Sequence, residues 1–161
     1  MPEATTRPAS VVLPPEDVRP DLSTRESPVR WVMLVDPSIG PGLAANAAGC
    51  MAAAVGRALP GLLGPDAADA SGTGHPGLPW TGCAVLAAGP EEIRAVRAKA
   101  LARDGVLVVD MPRDAQTNSV YTAYLAALGA SAPDDIVYLG VSLVGPRNAV
   151  GKLVGRFPLL R

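Results

Sequence analysis

The chain has 161 residues, 48% hydrophobic, 18% charged and only 4% aromatic, with a formal net charge of −1. That near-neutral balance excludes a general nucleic-acid binder, which carries a basic excess, and leaves only a local basic patch open. One histidine and two scattered cysteines exclude a metal centre with recognisable ligand spacing.

A chain of this length suits one domain, able to bury roughly 70% of its unfolded surface. Residues 1–28, rich in proline and charge, read as an extended or disordered arm. Its "ASVVLP" stretch has the alternative of lying along the domain or a neighbouring subunit. Residues 29–161 read as a single α/β domain. "RWVMLVD" (30–36) is apolar and partly β-branched, the pattern of a buried strand. "GLAANAAGCMAAAVGRAL" (42–59) is alanine-rich and stops at Pro60, the pattern of a helix. Residues 60–79 read as an irregular glycine- and proline-rich loop, long enough to suggest a function or mobility.

"CAVLAAG" (83–89) predicts a second strand. "PEEIRAVRAKALARDG" (90–105) predicts an amphipathic helix with Ile93, Val96, Ala100 and Leu101 on one face and Gly105 as its stop. "VLVVDM" (106–111) predicts a third strand. After the turn "PRDAQTN", Ser119 is placed to cap a helix striped with Val120, Tyr121, Tyr124, Leu125 and Leu128. "IVYLGVSLVG" (136–145) and "RNAVGKLVGRF" (147–157) predict a fourth strand and a closing helix. Strands alternating with helices give a three-layer α/β sandwich around a mostly parallel sheet.

No apolar run is expected to reach the roughly 18 residues that span a membrane, and the N-terminus lacks a signal pattern. A cytoplasmic location follows as the expectation. Cys50 and Cys83 lie in apolar segments and are expected as buried free thiols.

Ligands of such sheets lie beyond the carboxyl ends of the strands. The loops "DPSIGPGLAAN", "AGPEE" and "MPRDAQTN" are expected to meet there. Gly40 and Gly42 allow positive φ and close approach, and the helix that follows opens unpaired N–H groups toward an anion. Neither a Walker motif nor a dinucleotide fingerprint is present. Asn46 is the only polar side chain among Ala44, Ala45, Ala47 and Ala48, so it satisfies either a loop carbonyl or a ligand. Asp36, at a strand end, either caps the loop or acts as a base. Arg113, Asp114, Gln116, Thr117 and Asn118 crowd one bend, as solvated turn chemistry or as a site. His75 is the only side chain whose ordinary pKa lies near neutrality, placed either for proton transfer or as a loop hydrogen-bonding group. Trp80 either walls the pocket or fills the core beneath the long loop.

The stretches "DPSIGPGLAANAAG", "SGTGHPGLPWTGCAVL", "DMPRDAQTNSVYTAY" and "YLGVSLVGPRNAVGKLVGRFPLL" resemble, in this order, the domain-of-unknown-function 2000 family over roughly residues 30–161. That family is similar in fold to peptidyl-tRNA hydrolase II. The resemblance implies a four-stranded mixed sheet in which one strand opposes the others. The hydrolase carries Gly-Lys near the start of its first helix, then Ala-Gln and a nearby His. Here Leu43 replaces the lysine, Asn46 lies where the glutamine would, and Gly49 stands near the histidine position. The hydrolase's Asp-Ala-Gly-Arg-Thr-Gln loop is partly kept as Asp114-Ala115-Gln116-Thr117, so the resemblance assigns Asp114 and Thr117 to the chemistry.

The leading expectation is a small hydrolase-like enzyme acting on a small polar acyl or amide substrate, without a cofactor. In it Asp114 orients a water, helped by Thr117, Asn46 steadies developing negative charge, and Arg113 or Arg147 pairs with an anionic substrate group. The alternative is a non-catalytic module that binds a small molecule or assembles, as a homodimer, through its arm and sheet edge. An RNA-linked hydrolase is a lesser alternative, against which the lost lysine and the near-neutral charge argue.

Overall fold

The computed structural model describes residues 11–161; the expectation for residues 1–10 lies outside them. Four strands form the main sheet: β1 (Val29–Val35), β4 (Cys83–Ala87), β5 (Leu107–Pro112) and β6 (Tyr138–Pro146), in the order β4-β1-β6-β5. Two-residue strands β2 (Ala67–Ala68) and β3 (Gly74–His75) make a separate hairpin within the long loop. The helices are α1 (Gly40–Ala58), α2 (Pro90–Leu101), α3 (Arg113–Thr117), α4 (Tyr121–Ala130) and α5 (Arg147–Val154).

The sheet is mixed, with β6 the one opposed strand. "Mostly parallel" holds only for strand direction. Because β6 inserts between β1 and β5, only the β1–β4 pair is parallel, while β1–β6 and β5–β6 are antiparallel. This insertion puts the ends of β1, β4 and β5 and the beginning of β6 at one edge, since Val35 pairs with both Ala87 and Gly140 and Met111 also faces Gly140. We call this the upper end.

Alternation along β1 divides the core in two, as a period of two requires. Trp31, Met33 and Val35 face α1 with Ala44, Ala47, Met51 and Val55. Val32 and Leu34 face the other way, against Ile93, Val96 and Ala100 of α2 and Val150 and Leu153 of α5. The Trp31 indole donates to Ser142 Oγ at 2.8 Å, satisfying the polar edge of a residue otherwise enclosed by hydrocarbon. Gly140 lets α1 approach: a Cβ there would stand 2.8 Å from Met51 Cε.

Several expectations change. Residues 11–28 are packed against the domain: Val11 and Leu13 join the α1-side core, Ser27 is buried, and the Arg147 guanidinium donates to the carbonyls of Thr24 and Ser27. The segment is therefore ordered by alternating apolar contacts and by one arginine clamp. Ser119 does not cap α4; Val120 occupies that position without a side-chain bond. No residue of α4 is buried: Val120, Tyr121 and Leu125 of the expected stripe are exposed, and Tyr124 and Leu128 are only half-buried. Both cysteines are exposed rather than buried, Cys50 on α1 and Cys83 at the start of an edge strand. The segment Pro37–Ala58 is long and apolar enough to cross a membrane, contrary to the expectation that no run would be. Its apolarity comes largely from alanine and glycine, and Ala44, Ala47, Met51 and Val55 are the residues it buries on the sheet.

The hairpin in the long loop is ordered by polar contacts. Asp69 accepts from the Ser71 hydroxyl at 2.6 Å, the Ser71 N–H at 2.8 Å and the Thr73 N–H at 3.0 Å. The Ser71 hydroxyl, followed by these N–H groups, holds the Asp69 carboxyl below its ordinary range. A depressed folded pKa means support that is complete above the unfolded value and disappears as pH falls through the depressed one. The Thr73 amide should therefore stay protected from exchange down to the ordinary carboxylate range and lose protection only below it. Asp69→Asn should remove this pH dependence; amide exchange followed by NMR measures both.

Candidate functional site

The upper end is built from β1 and β5 and the helices that leave them. Asp36 follows β1 and is 5% exposed; its Oδ1 accepts from the Ser38 N–H at 2.9 Å, capping the 3-10 turn Pro37–Ile39. That places Asp36 in the capping role. Gly40 then has φ +80, which reverses the chain into α1, whereas Gly42 is ordinary helix and has no positive φ. Proline at position 41 carries no N–H, so this first turn has one donor fewer for an anion than its glycines suggest. Beside it lies a cavity of about 570 Å³ lined mostly by apolar groups, among them Pro41, Ala44, Val85 and Leu160, with Arg161 its one charged residue. The strand-like tail closes that side, with Leu160 N–H donating to Val85 O at 3.0 Å.

Asn46 is exposed on the second turn of α1. Its partner is Gln116: the Gln116 Nε2 donates to Asn46 Oδ1 at 3.0 Å and to the Leu43 carbonyl at 2.9 Å. A carbonyl only accepts, so Leu43 fixes which end of the Gln116 amide faces α1. The other end, Gln116 Oε1, is buried without a hydrogen-bond partner among the described residues. Such an orphaned acceptor costs about 1–3 kcal/mol unless something donates to it.

Asp114 lies two residues from Gln116 on α3, about 200° around the helix axis, so the two side chains leave on opposite sides. Gln116 takes the side facing Asn46. Asp114 lies toward α4, where its charge acts on Tyr124; its carboxylate makes no hydrogen bond among the described residues, while its carbonyl accepts from Asn118 Nδ2 at 2.8 Å. Thr117 donates to the Arg113 carbonyl at 3.2 Å, inside its own helix rather than toward Asp114. Arg113 is exposed at the start of α3, with its N–H on the Val137 carbonyl at 2.8 Å.

Between α1, β5 and the α3–α4 segment lies a cavity of about 360 Å³. Cys50, one turn beyond Asn46, lines it with Met51, Ala115, Asn118, Tyr121 and Tyr124. Burial first, and then the negative charges of Asp110 and Asp114 with Tyr121, pushes the Tyr124 phenol up, so it stays a hydroxyl donor at neutral pH. Tyr124 was not among the sequence-derived site residues, because its helical spacing reads equally as core. Arg97 and Asp110, paired at 2.5 Å beneath the α2 layer, were also passed over.

Two expected members stand elsewhere. His75 is exposed on β3, its Nε2 3.6 Å from Asp69 Oδ2. Since α1 runs back down the sheet, the long loop that carries His75 leaves α1 and enters β4 at the lower end. Arg147 follows β6, the opposed strand, and so also lies at the lower end, beside Val29 and the 24–27 segment. Trp80 sits under the long loop, its indole donating to the Gly61 carbonyl at 2.7 Å, and packs on the α1-side core.

Fold and site together define an α/β sandwich domain with a four-stranded mixed sheet and a polar amide pair bridging α1 and α3. The chain belongs to the family described as Protein of unknown function (DUF2000), whose model matches residues 29–161. A solved structure of a protein of unknown function, Atu0240 from Agrobacterium tumefaciens strain C58, is similar with a TM-score of 0.75 and 16% identity, covering 82% of this chain and 97% of that one. That likeness is one of fold. No curated protein matches the chain.

Proposed function

We propose that the protein binds a small polar molecule at the α1–α3 mouth and acts there as a small-molecule-binding domain. The observation that supports this is the buried, unpaired Gln116 Oε1 beside an Asn46–Gln116 amide pair. A ligand offering an amide or hydroxyl donor would draw that inward-facing oxygen out of its buried position, and its apolar part would rest in the neighbouring cavity against Tyr121 and Tyr124. The groups gathered here bind better than they transfer protons: amides carry no titratable proton near neutrality, and the only histidine sits on the β2–β3 hairpin beside Asp69. The reading carries with it a cytoplasmic location and neither nucleic acid nor membrane as partner.

The second reading is a peptidyl-tRNA hydrolase II-like fold serving a small hydrolase of polar acyl or amide substrates. It is favoured by Asp114, whose carboxylate is free of hydrogen bonds among the described residues and close enough to influence Tyr124. Asp114 would then orient the attacking water and Tyr124 would donate.

A thermal-shift screen of the whole chain with amino acids, small amides and nucleosides tests the first reading. A ligand at a hundred times its Kd adds about 2.7 kcal/mol, a shift of several degrees. The shift should vanish in Asn46→Ala and Gln116→Met; its survival in both, or the lack of any hit, overturns the proposal. Mass-spectrometric turnover of the hit, lost in Asp114→Asn while binding persists, would establish the second reading in its place.

A further inference from the structure

At the lower end of the sheet, Arg25, Arg30 and Arg147 line one cavity of about 390 Å³ together with the hydroxyl residues Thr24 and Thr81. No carboxylate lines it, and the ion pairs among the described residues engage Arg19, His75, Arg97 and Arg156 instead. In a chain of net charge −1, three uncompensated guanidiniums around one hollow are a local excess that repels itself until an anion enters.

One of the three guanidiniums is also held in place. Arg147 is clamped through Nε and Nη2 by the carbonyls of Ser27 and Thr24, which leave its charge intact. Arg30 reaches across the first turns of α5, with its Nη1 3.2 Å from where a Cβ on Gly151 would stand. Thr81 is only 3% exposed. Ala84, near the start of β4, gives the cavity an apolar side on the same face as Arg30. Guanidinium forks match phosphate oxygens two at a time, and the volume is that of a small-ligand site.

We propose that this cavity is a second binding site, taking a small phosphorylated metabolite. Arg25, Arg30 and Arg147 grip the phosphate, Thr24 and Thr81 donate to its oxygens, and the rest of the molecule rests against Ala84. The site is independent of the amide mouth at the upper end.

The test is calorimetric and thermal-shift titration of the full chain with inorganic phosphate, pyrophosphate and glucose 6-phosphate, against citrate and sodium chloride at matched ionic strength. The sugar phosphate should bind most tightly, and Arg30→Gln and Arg25→Gln should each weaken it about tenfold. Both unliganded variants should melt no lower than the native chain, because each relieves like-charge repulsion; Arg147 is left alone because it anchors the 24–27 segment. Binding no better than sodium chloride, citrate equal to the sugar phosphate, or undiminished binding in both variants would overturn the proposal. So would loss of the phosphate response in Asn46→Ala, which belongs to the other end.

Discussion

Replacing Met51 by alanine should destabilise the protein by about 2–5 kcal/mol, a large part of the roughly 5–15 kcal/mol that holds a domain folded. Met51 is 1% exposed and sits where α1 crosses the sheet, so the substitution opens a hole in the core. It has a particular partner. A Cβ on Gly140 would lie 2.8 Å from Met51 Cε and 3.2 Å from the Leu34 carbonyl oxygen. Gly140→Ala alone should therefore cost about 1–3 kcal/mol through overpacking. In the Met51→Ala background the thioether is gone and the new methyl enters the vacated space. The double variant should then be more stable than the sum of the two losses predicts, by about 1 kcal/mol or more. Urea denaturation of the four proteins measures this coupling; strict additivity would show that α1 does not seat on β6 through this contact. Because Met51 also lines the cavity between α1, β5 and the α3–α4 segment, its loss should enlarge that cavity and weaken any ligand bound there.

Gly77→Ala should disrupt the long loop more severely than any change of an exposed side chain there. An added Cβ would stand 1.8 Å from the Gly64 carbonyl oxygen and 2.7 Å from its carbon, and the obstacle is backbone that has no rotamer to escape into. The same strand crossing holds the Gly77 N–H on Asp66 Oδ1 at 2.8 Å and the Gly64 N–H on the Leu78 carbonyl at 2.9 Å. These bonds must part for the methyl to fit. The expected loss lies at the upper end of about 1–3 kcal/mol. Limited proteolysis should cut the variant within residues 60–79 at conditions that leave the native chain whole. The lower end of the sheet should be disturbed and the Asn46–Gln116 pair left intact, since α1 separates them. Equal resistance of variant and native chain would refute the close backbone approach.

The contrast between these two glycines shows where sequence reading succeeds. The strands from Val29, Cys83, Leu107 and Tyr138 all fall within a residue or two of their expected starts, because a run of apolar, β-branched residues has few ways to be buried other than in a sheet. The bend 113–118 was also legible as a polar cluster after a strand, and its amide does meet Asn46. Which member of the cluster does so was not legible. A bend has no face, whereas the single turn of helix α3 sends Gln116 toward α1 and Asp114 toward Tyr124. Likewise the stripe on α4 has the spacing of a buried helix, yet α4 packs no residue into the core.

By its order of residues alone the chain determined its strands, most of its helices and the convergence of three loops at one end, because period, propensity and turn chemistry act over neighbours. Only the tertiary structure decided that β6 enters the middle of the sheet against its neighbours. That single choice carries Arg147 to the lower end, beside Arg25 and Arg30, and leaves the amide pair alone at the upper one. Strand order is set by long-range packing of two core faces, and no local pattern of side chains encodes it.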